Sequence, residues 1–98
     1  DIAARVIDLY SVKPIDAGTI RGIKTPIVTA EDHWAEGGLG EAVLAAIAGA
    51  EERPPVQILA VRELPHSGKP AELLAAAGID AAAIAAAARA LVTARVSA

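Results

Sequence analysis

Short β-type runs and segments with helical periodicity alternate along the chain. The run Arg5–Tyr10 is rich in β-branched and apolar side chains and predicts a first strand. Pro14 follows it, and a proline cannot donate to a strand ladder, so the strand ends there. Pro26–Ala30 is almost continuously apolar, which predicts a second strand buried on both faces. Val56–Val61 predicts a third strand by the same composition.

Helices are predicted between these strands. Asp16 is placed to cap a short helical turn that runs through Ile20. A longer helix follows the glycines near position 40 and stops at Gly49, a residue typical of helix ends. Its predicted apolar face is the set of side chains at helical spacing: Leu39, Val43, Leu44 and Ile47.

Two further helices are predicted near the end of the sequence. The first covers Ala71–Ala76 and closes at Gly78. Asp80 then caps the last helix. The side chains predicted to face inward from that helix are Ile84, Leu91 and Val92.

Strands that alternate with helices are typical of an α/β fold. We therefore expect a three-layer sandwich with a small, mostly parallel (mixed) sheet flanked by helices. The length of 98 residues fits a single domain, 1–98.

Composition and charge exclude several functional classes. The net charge of −3 and the scattered basic residues provide no electrostatic footprint for nucleic acid. Without cysteine there are no disulfides, no thiolate chemistry and no cysteine-based zinc site, which suits a cytoplasmic protein. Gly78, Asp80 and Arg89 interrupt the alanine-rich stretch Leu73–Val92, so we expect soluble helices and no membrane partner.

The most informative stretch lies between the second predicted strand and the long helix. In open α/β sheets, ligands gather beyond the carboxyl ends of strands, and a helix start there presents free N–H groups. The stretch could therefore bind an anion or contact another domain. Its candidate residues are Glu31, Asp32, His33, Gly37, Gly38, Gly40 and Glu41.

The residue pattern argues against a phosphate cradle. A dinucleotide fingerprint aligned on Gly38 and Gly40 needs a small residue where Val43 stands. Glu36 and Glu41 would repel a phosphate, and a glutamate at a helix start satisfies the helix dipole without a ligand. We favour a tight strand-to-helix turn and keep the phosphate cradle as the alternative.

Asp32 and His33 could form an acid–base pair. Adjacent residues on an extended chain point to opposite faces, which argues against that pairing. We favour a polar interface cluster that contacts another domain or subunit. For Trp34, a place in the interface and a place in the core remain open.

The loop His66–Pro70 superficially resembles a phosphate loop. The pattern fails because Glu63 stands at the first glycine position and Pro70 at the Ser/Thr position. Ser67 is not part of a Gly-x-Ser-x-Gly nucleophile elbow. A loop whose Pro70 opens a helix is the better interpretation. The two histidines of the chain also lack a metal-ligand spacing.

Three separated blocks resemble the C-terminal domain of the transketolase family in order and spacing, over nearly the whole chain. The blocks are Val6–Asp16, then Ile27–His33 with Glu36–Val43, and then Arg62–Pro65 with Ser67–Leu74 and Gly78–Asp80. By this resemblance, the family's domain opens with another strand and helix before Val6. We therefore expect 1–98 to be a truncated domain of that type.

Transketolases transfer a two-carbon ketol unit from a ketose phosphate to an aldose phosphate in the pentose phosphate pathway. The resemblance implies that thiamine diphosphate and Mg²⁺ lie between the N-terminal and middle domains of the parent enzyme, a homodimer. It implies no catalytic, cofactor-binding or metal-binding residue in this chain. We expect interdomain packing and dimer scaffolding from it, and no activity when it is isolated.

Two alternatives stay open. Deoxyxylulose phosphate synthases and thiamine-dependent 2-oxo acid dehydrogenases share this domain type, although Glu31–His33 together with Ser67–Glu72 favours transketolase. The other alternative is a regulatory anion- or nucleotide-binding module that uses the helix start at Gly38–Glu41.

Overall fold

A computed structural model describes residues 2–9, 14–62 and 68–97, with side chains as far as residue 94. The described part of the chain contains four helices and two strands. In chain order these are α1 (Ala17–Arg21), β1 (Ile27–Trp34), α2 (Leu39–Ile47), β2 (Val56–Val61), α3 (Pro70–Ala77) and α4 (Ala81–Ser97).

Strands β1 and β2 pair in parallel, as the sequence predicts. Their register runs from Ile27 opposite Val56 to Ala30 opposite Leu59. Strand β1 begins one residue later than predicted and continues four residues beyond Ala30. A parallel pair needs a crossover connection, and the stretch that holds α2 supplies it here.

The predicted strand over Arg5–Tyr10 is wrong for the residues that the structure describes. Residues 2–9 form no strand, and the side chain of Val6 is 92% exposed. Strand propensity is local, but a strand also needs a neighbour for its backbone hydrogen bonds. In the described sheet β1 and β2 pair only with each other. Leu9 nevertheless packs against the core, whereas Tyr10 lies outside the described residues.

Helices lie on both faces of the sheet. On one face, Gly40 of α2 lies directly against Ile58 of β2. Successive side chains on a strand point to opposite faces. Leu59 and Val61 therefore point away from α2, and they face α3 across a cleft. Helix α4 contacts both strands. The α/β prediction is confirmed, and both described strands run parallel.

The core lies between α1, α2 and one face of the sheet. Its buried cluster consists of Ile20, Val43, Ala46 and Ile47. Leu39 packs against that cluster, so three of the four predicted face residues contribute to the core. Leu44 was predicted wrongly, because it is 44% exposed. Ala46, which the sequence analysis did not assign to the apolar face, is buried in the core instead.

The predicted helix ends are found. Asp16 caps α1 by accepting the Thr19 backbone N–H at 3.2 Å. Gly78 ends α3 in the left-handed conformation with φ 71°, which a glycine adopts at little cost. Asp80 accepts the Ala83 N–H at 3.0 Å at the start of α4.

Helix α4 is less buried than predicted. Ile84 and Val92 are each 37% exposed, so their inward assignment is wrong, and Leu91 is half-buried. The helix is rich in alanine, so it buries little area per residue. Its larger apolar side chains are not concentrated on one face that could pack against the sheet. By length and composition alone, the stretch Pro70–Ala94 could cross a membrane. The break at Gly78 divides it into α3 and α4, and the absence of a membrane partner stays a prediction.

Candidate functional site

The end of β1 carries an irregularity at the residues singled out from the sequence. Ala30 pairs with Leu59, but the next pair is Trp34 with Val61. Three residues of β1, Glu31–His33, therefore lie opposite the single residue between Leu59 and Val61. Such bulges bend a strand and redirect its side chains. Glu31, the first residue of this bulge, contacts the start of α2.

Glu31 closes the corner between β1 and α2. Its Oε1 accepts the backbone N–H of Leu39 and its Oε2 accepts that of Gly40, both at 2.8 Å. Only 7% of its side chain is exposed. The first N–H groups of a helix lack partners within the helix and carry the positive end of its dipole. A carboxylate from eight residues upstream thus occupies the position that an anionic ligand would take.

Two glycines make this arrangement possible. A Cβ at Gly38 would overlap Oε1 of Glu31 and would lie 2.8 Å from the Trp34 carbonyl oxygen. A Cβ at Gly40 would lie 2.6–2.8 Å from three side-chain carbons of Ile58. Gly38 therefore leaves room for the carboxylate, and Gly40 lets α2 approach the sheet.

Gly37 and Glu41 complete the turn. Gly37 has φ 75°, a conformation that side chains rarely adopt. Its N–H donates to Oε1 of Glu41 at 2.8 Å. Glu41 thus binds back to the turn that precedes its own helix, and its side chain remains exposed. The favoured interpretation, a tight strand-to-helix turn, matches this geometry.

His33 lies on the outside of the corner. Its Nδ1 is 2.8 Å from the carbonyl oxygen of Trp34 and 3.8 Å from Oε1 of Glu31. A carbonyl oxygen only accepts, so Nδ1 carries the hydrogen in that bond. In the neutral ring, Nε2 is then the acceptor nitrogen, and 59% of the side chain is exposed.

Asp32 is not brought together with His33. It lines the cleft between the sheet and α3. His33 instead approaches Glu31, which caps α2. The geometry therefore does not form the acid–base pair considered from the sequence.

Trp34 is the largest exposed side chain at this end of the sheet. It is 42% exposed, although its neighbour Ala35 is 6% exposed and belongs to the core. An indole that is half in contact with the protein and half in solvent is typical of an interface residue. Glu36 follows on the exposed turn.

A cleft of about 780 Å³ separates α3 from the sheet. Leu59, Val61, Leu73 and Leu74 contribute apolar walls, and Asp32 and Arg62 belong to its lining. Arg62 bends back to its own strand, where Nη2 is 3.4 Å from the carbonyl oxygen of Ile58.

Opposite charges from outside α2 stabilise its two ends. Glu31 caps the first turn, and Arg21 of α1 donates from Nε to the carbonyl oxygen of Ala46 at 2.8 Å near the last turn. The negative charge lies at the positive end of the helix dipole, and the positive charge lies at its negative end. The sequence analysis missed both roles, because neither the eight-residue nor the 25-residue separation follows a local capping pattern. The one available sequence signal was the position of Glu31, an acidic residue between a predicted strand and a glycine turn.

The remaining sequence candidates are placed as follows. Glu63, His66 and Ser67 lie outside the described residues. Pro70 does open α3, at its first position. Among residues 2–9, 14–62 and 68–97, no group of three or more His, Cys, Asp or Glu side chains is arranged for a metal ion.

The chain resembles known proteins over nearly its whole length. A family model described as the C-terminal domain of transketolase matches residues 1–84. Transketolases from Mus musculus and Homo sapiens are each 50% identical over 96 residues. The match covers 94% of this chain but only 15% of each relative, so the chain spans a small part of their length.

A solved structure supports the same relationship. The chain matches a split-gene transketolase, described as an inactive β4 tetramer, with a TM-score of 0.82 and 35% identity. The match covers 94% of this chain and 31% of that one. The family model covers well over half of the residues, and sequence and fold agree with it. The chain belongs to the transketolase C-terminal domain family.

Proposed function

We propose that this chain is the C-terminal domain of a transketolase and that it serves the parent enzyme as a packing and docking domain. The parent transfers a two-carbon ketol unit between sugar phosphates in the pentose phosphate pathway, as a cytoplasmic homodimer. The N-terminal and middle domains are the partners of this chain. It supplies no catalytic residue.

The observation that supports this role is the internal use of Glu31. Its carboxylate is buried, and both of its oxygens accept backbone N–H groups at the start of α2. Both oxygens of a group in that state are engaged in joining the strand to the helix, and the burial of its side chain leaves little access for a substrate. The residues outside the corner, His33 and Trp34, are exposed and are typical of a surface that contacts another domain.

The cofactor of the parent does not fit the start of α2. A diphosphate would need the free N–H groups of a helix start. At Leu39 and Gly40 those groups already donate to Glu31, and a Cβ-sized space at Gly38 is filled by the same carboxylate. The proposal places thiamine diphosphate and Mg²⁺ in the other domains of the parent, and the capped start of α2 supports it. The same geometry disfavours the anion- or nucleotide-binding module.

A chimeric enzyme tests the role. This chain would replace the matching segment of Mus musculus transketolase, which is 50% identical to it. We expect the chimera to assemble and to transfer ketol units with kcat within about threefold of the mouse enzyme. An assembled chimera that is inactive would show that the replaced segment supplied a catalytic group that this chain lacks.

Calorimetry on the isolated chain gives a second test. We expect no thiamine diphosphate binding, with or without Mg²⁺, tighter than about 1 mM. Binding at that strength corresponds to about 4 kcal/mol of favourable contacts, which the capped helix start does not offer. Tighter binding would contradict the assignment of the cofactor to the other domains.

A further inference from the structure

We draw no further inference here: the strongest candidate, the apolar cleft between α3 and the sheet that is walled by Leu59, Val61, Leu73 and Leu74, carries nothing because no observation on the residues that the structure describes shows what covers it.

Discussion

Glu31 of strand β1 accepts the backbone N–H of Gly40 in helix α2 at 2.8 Å, and thereby joins the sheet to the helix that covers it. The other oxygen of the same carboxylate binds the amide of Leu39. Because Glu31 occupies the first backbone N–H groups of α2, this polar stretch connects the strand to the helix and does not leave those groups available to a ligand. It also fixes where His33 and Trp34 emerge on the surface.

Glu31→Gln should destabilise the chain by about 1–3 kcal/mol, because the new amide group would direct a donor toward a backbone donor. Urea unfolding followed by circular dichroism measures the change. Glu51→Gln is the control, since Glu51 is exposed and distant, and it should shift the free energy of unfolding by less than about 0.5 kcal/mol. Equal free energies of unfolding for the two variants would contradict the structural role of Glu31.

Gly40→Ala should destabilise the chain by about 1–3 kcal/mol, even though alanine favours helices by about 1 kcal/mol over glycine. The added methyl would lie 2.6–2.8 Å from Ile58 and would push α2 off the sheet. The cost should shrink when Ile58 is already Ala, and a double-mutant cycle measures that coupling. Additive effects would mean that Ile58 does not limit the approach of the helix.

Thr29→Val should leave the stability unchanged or raise it by about 1 kcal/mol. Thr29 is 4% exposed, and its hydroxyl has no hydrogen-bond partner among the described residues. Removing a buried, unpaired polar group while keeping the β-branched shape favours the folded state. The exposed Thr25→Val serves as the control. A loss of more than about 1 kcal/mol at position 29 alone would show that the hydroxyl has a partner.

The pKa of the Asp16 carboxyl should lie below its ordinary value of 3.8. The hydroxyl of Thr19 donates to the carboxylate at 2.7 Å, and its backbone N–H donates at 3.2 Å. Both bonds favour the charged form. NMR titration of the side chain should therefore give a midpoint below that of an unstructured aspartate, and Thr19→Val should raise it.

The sign of the pH dependence follows from this lowered pKa. The stabilising contribution of Asp16 is complete above the pKa of the unfolded chain, and it is lost as the pH falls through the lower pKa of the folded chain. The difference in stability between the native chain and Asp16→Asn should accordingly be full at neutral pH and vanish in strong acid. A difference that grows on acidification would contradict the cap.

Local chemistry explains which parts of the fold were predictable. Asp16, Gly78 and Asp80 act on residues within four positions of themselves, so the sequence pattern is enough to place them. The β-type run before Pro14 was misassigned, because pairing with another strand is not a local property. Leu44 and Ile84 were misplaced, because periodicity alone does not say which direction a neighbouring element covers.

The place of the candidate residues in the fold could be predicted, but the structural role of Glu31 could not. The acidic residues, the histidine and the glycine turn lie at the end of β1 and the start of α2, the part of the fold in which the sequence analysis placed them. The role of Glu31 depends on the three-residue bulge of β1 and on the close approach of Gly40 to Ile58. Both are tertiary features, so the sequence left the ligand site and the structural corner as alternatives.

The most direct measurement of the central claim is kcat per assembled dimer for the chimeric mouse enzyme carrying His33→Ala and Trp34→Ala. We expect the fraction of assembled enzyme to fall, because the variant loses surface contacts. The kcat of the dimers that do form should stay within about twofold of the unmodified chimera. A decrease of a hundredfold in fully assembled enzyme would show that these side chains take part in the reaction.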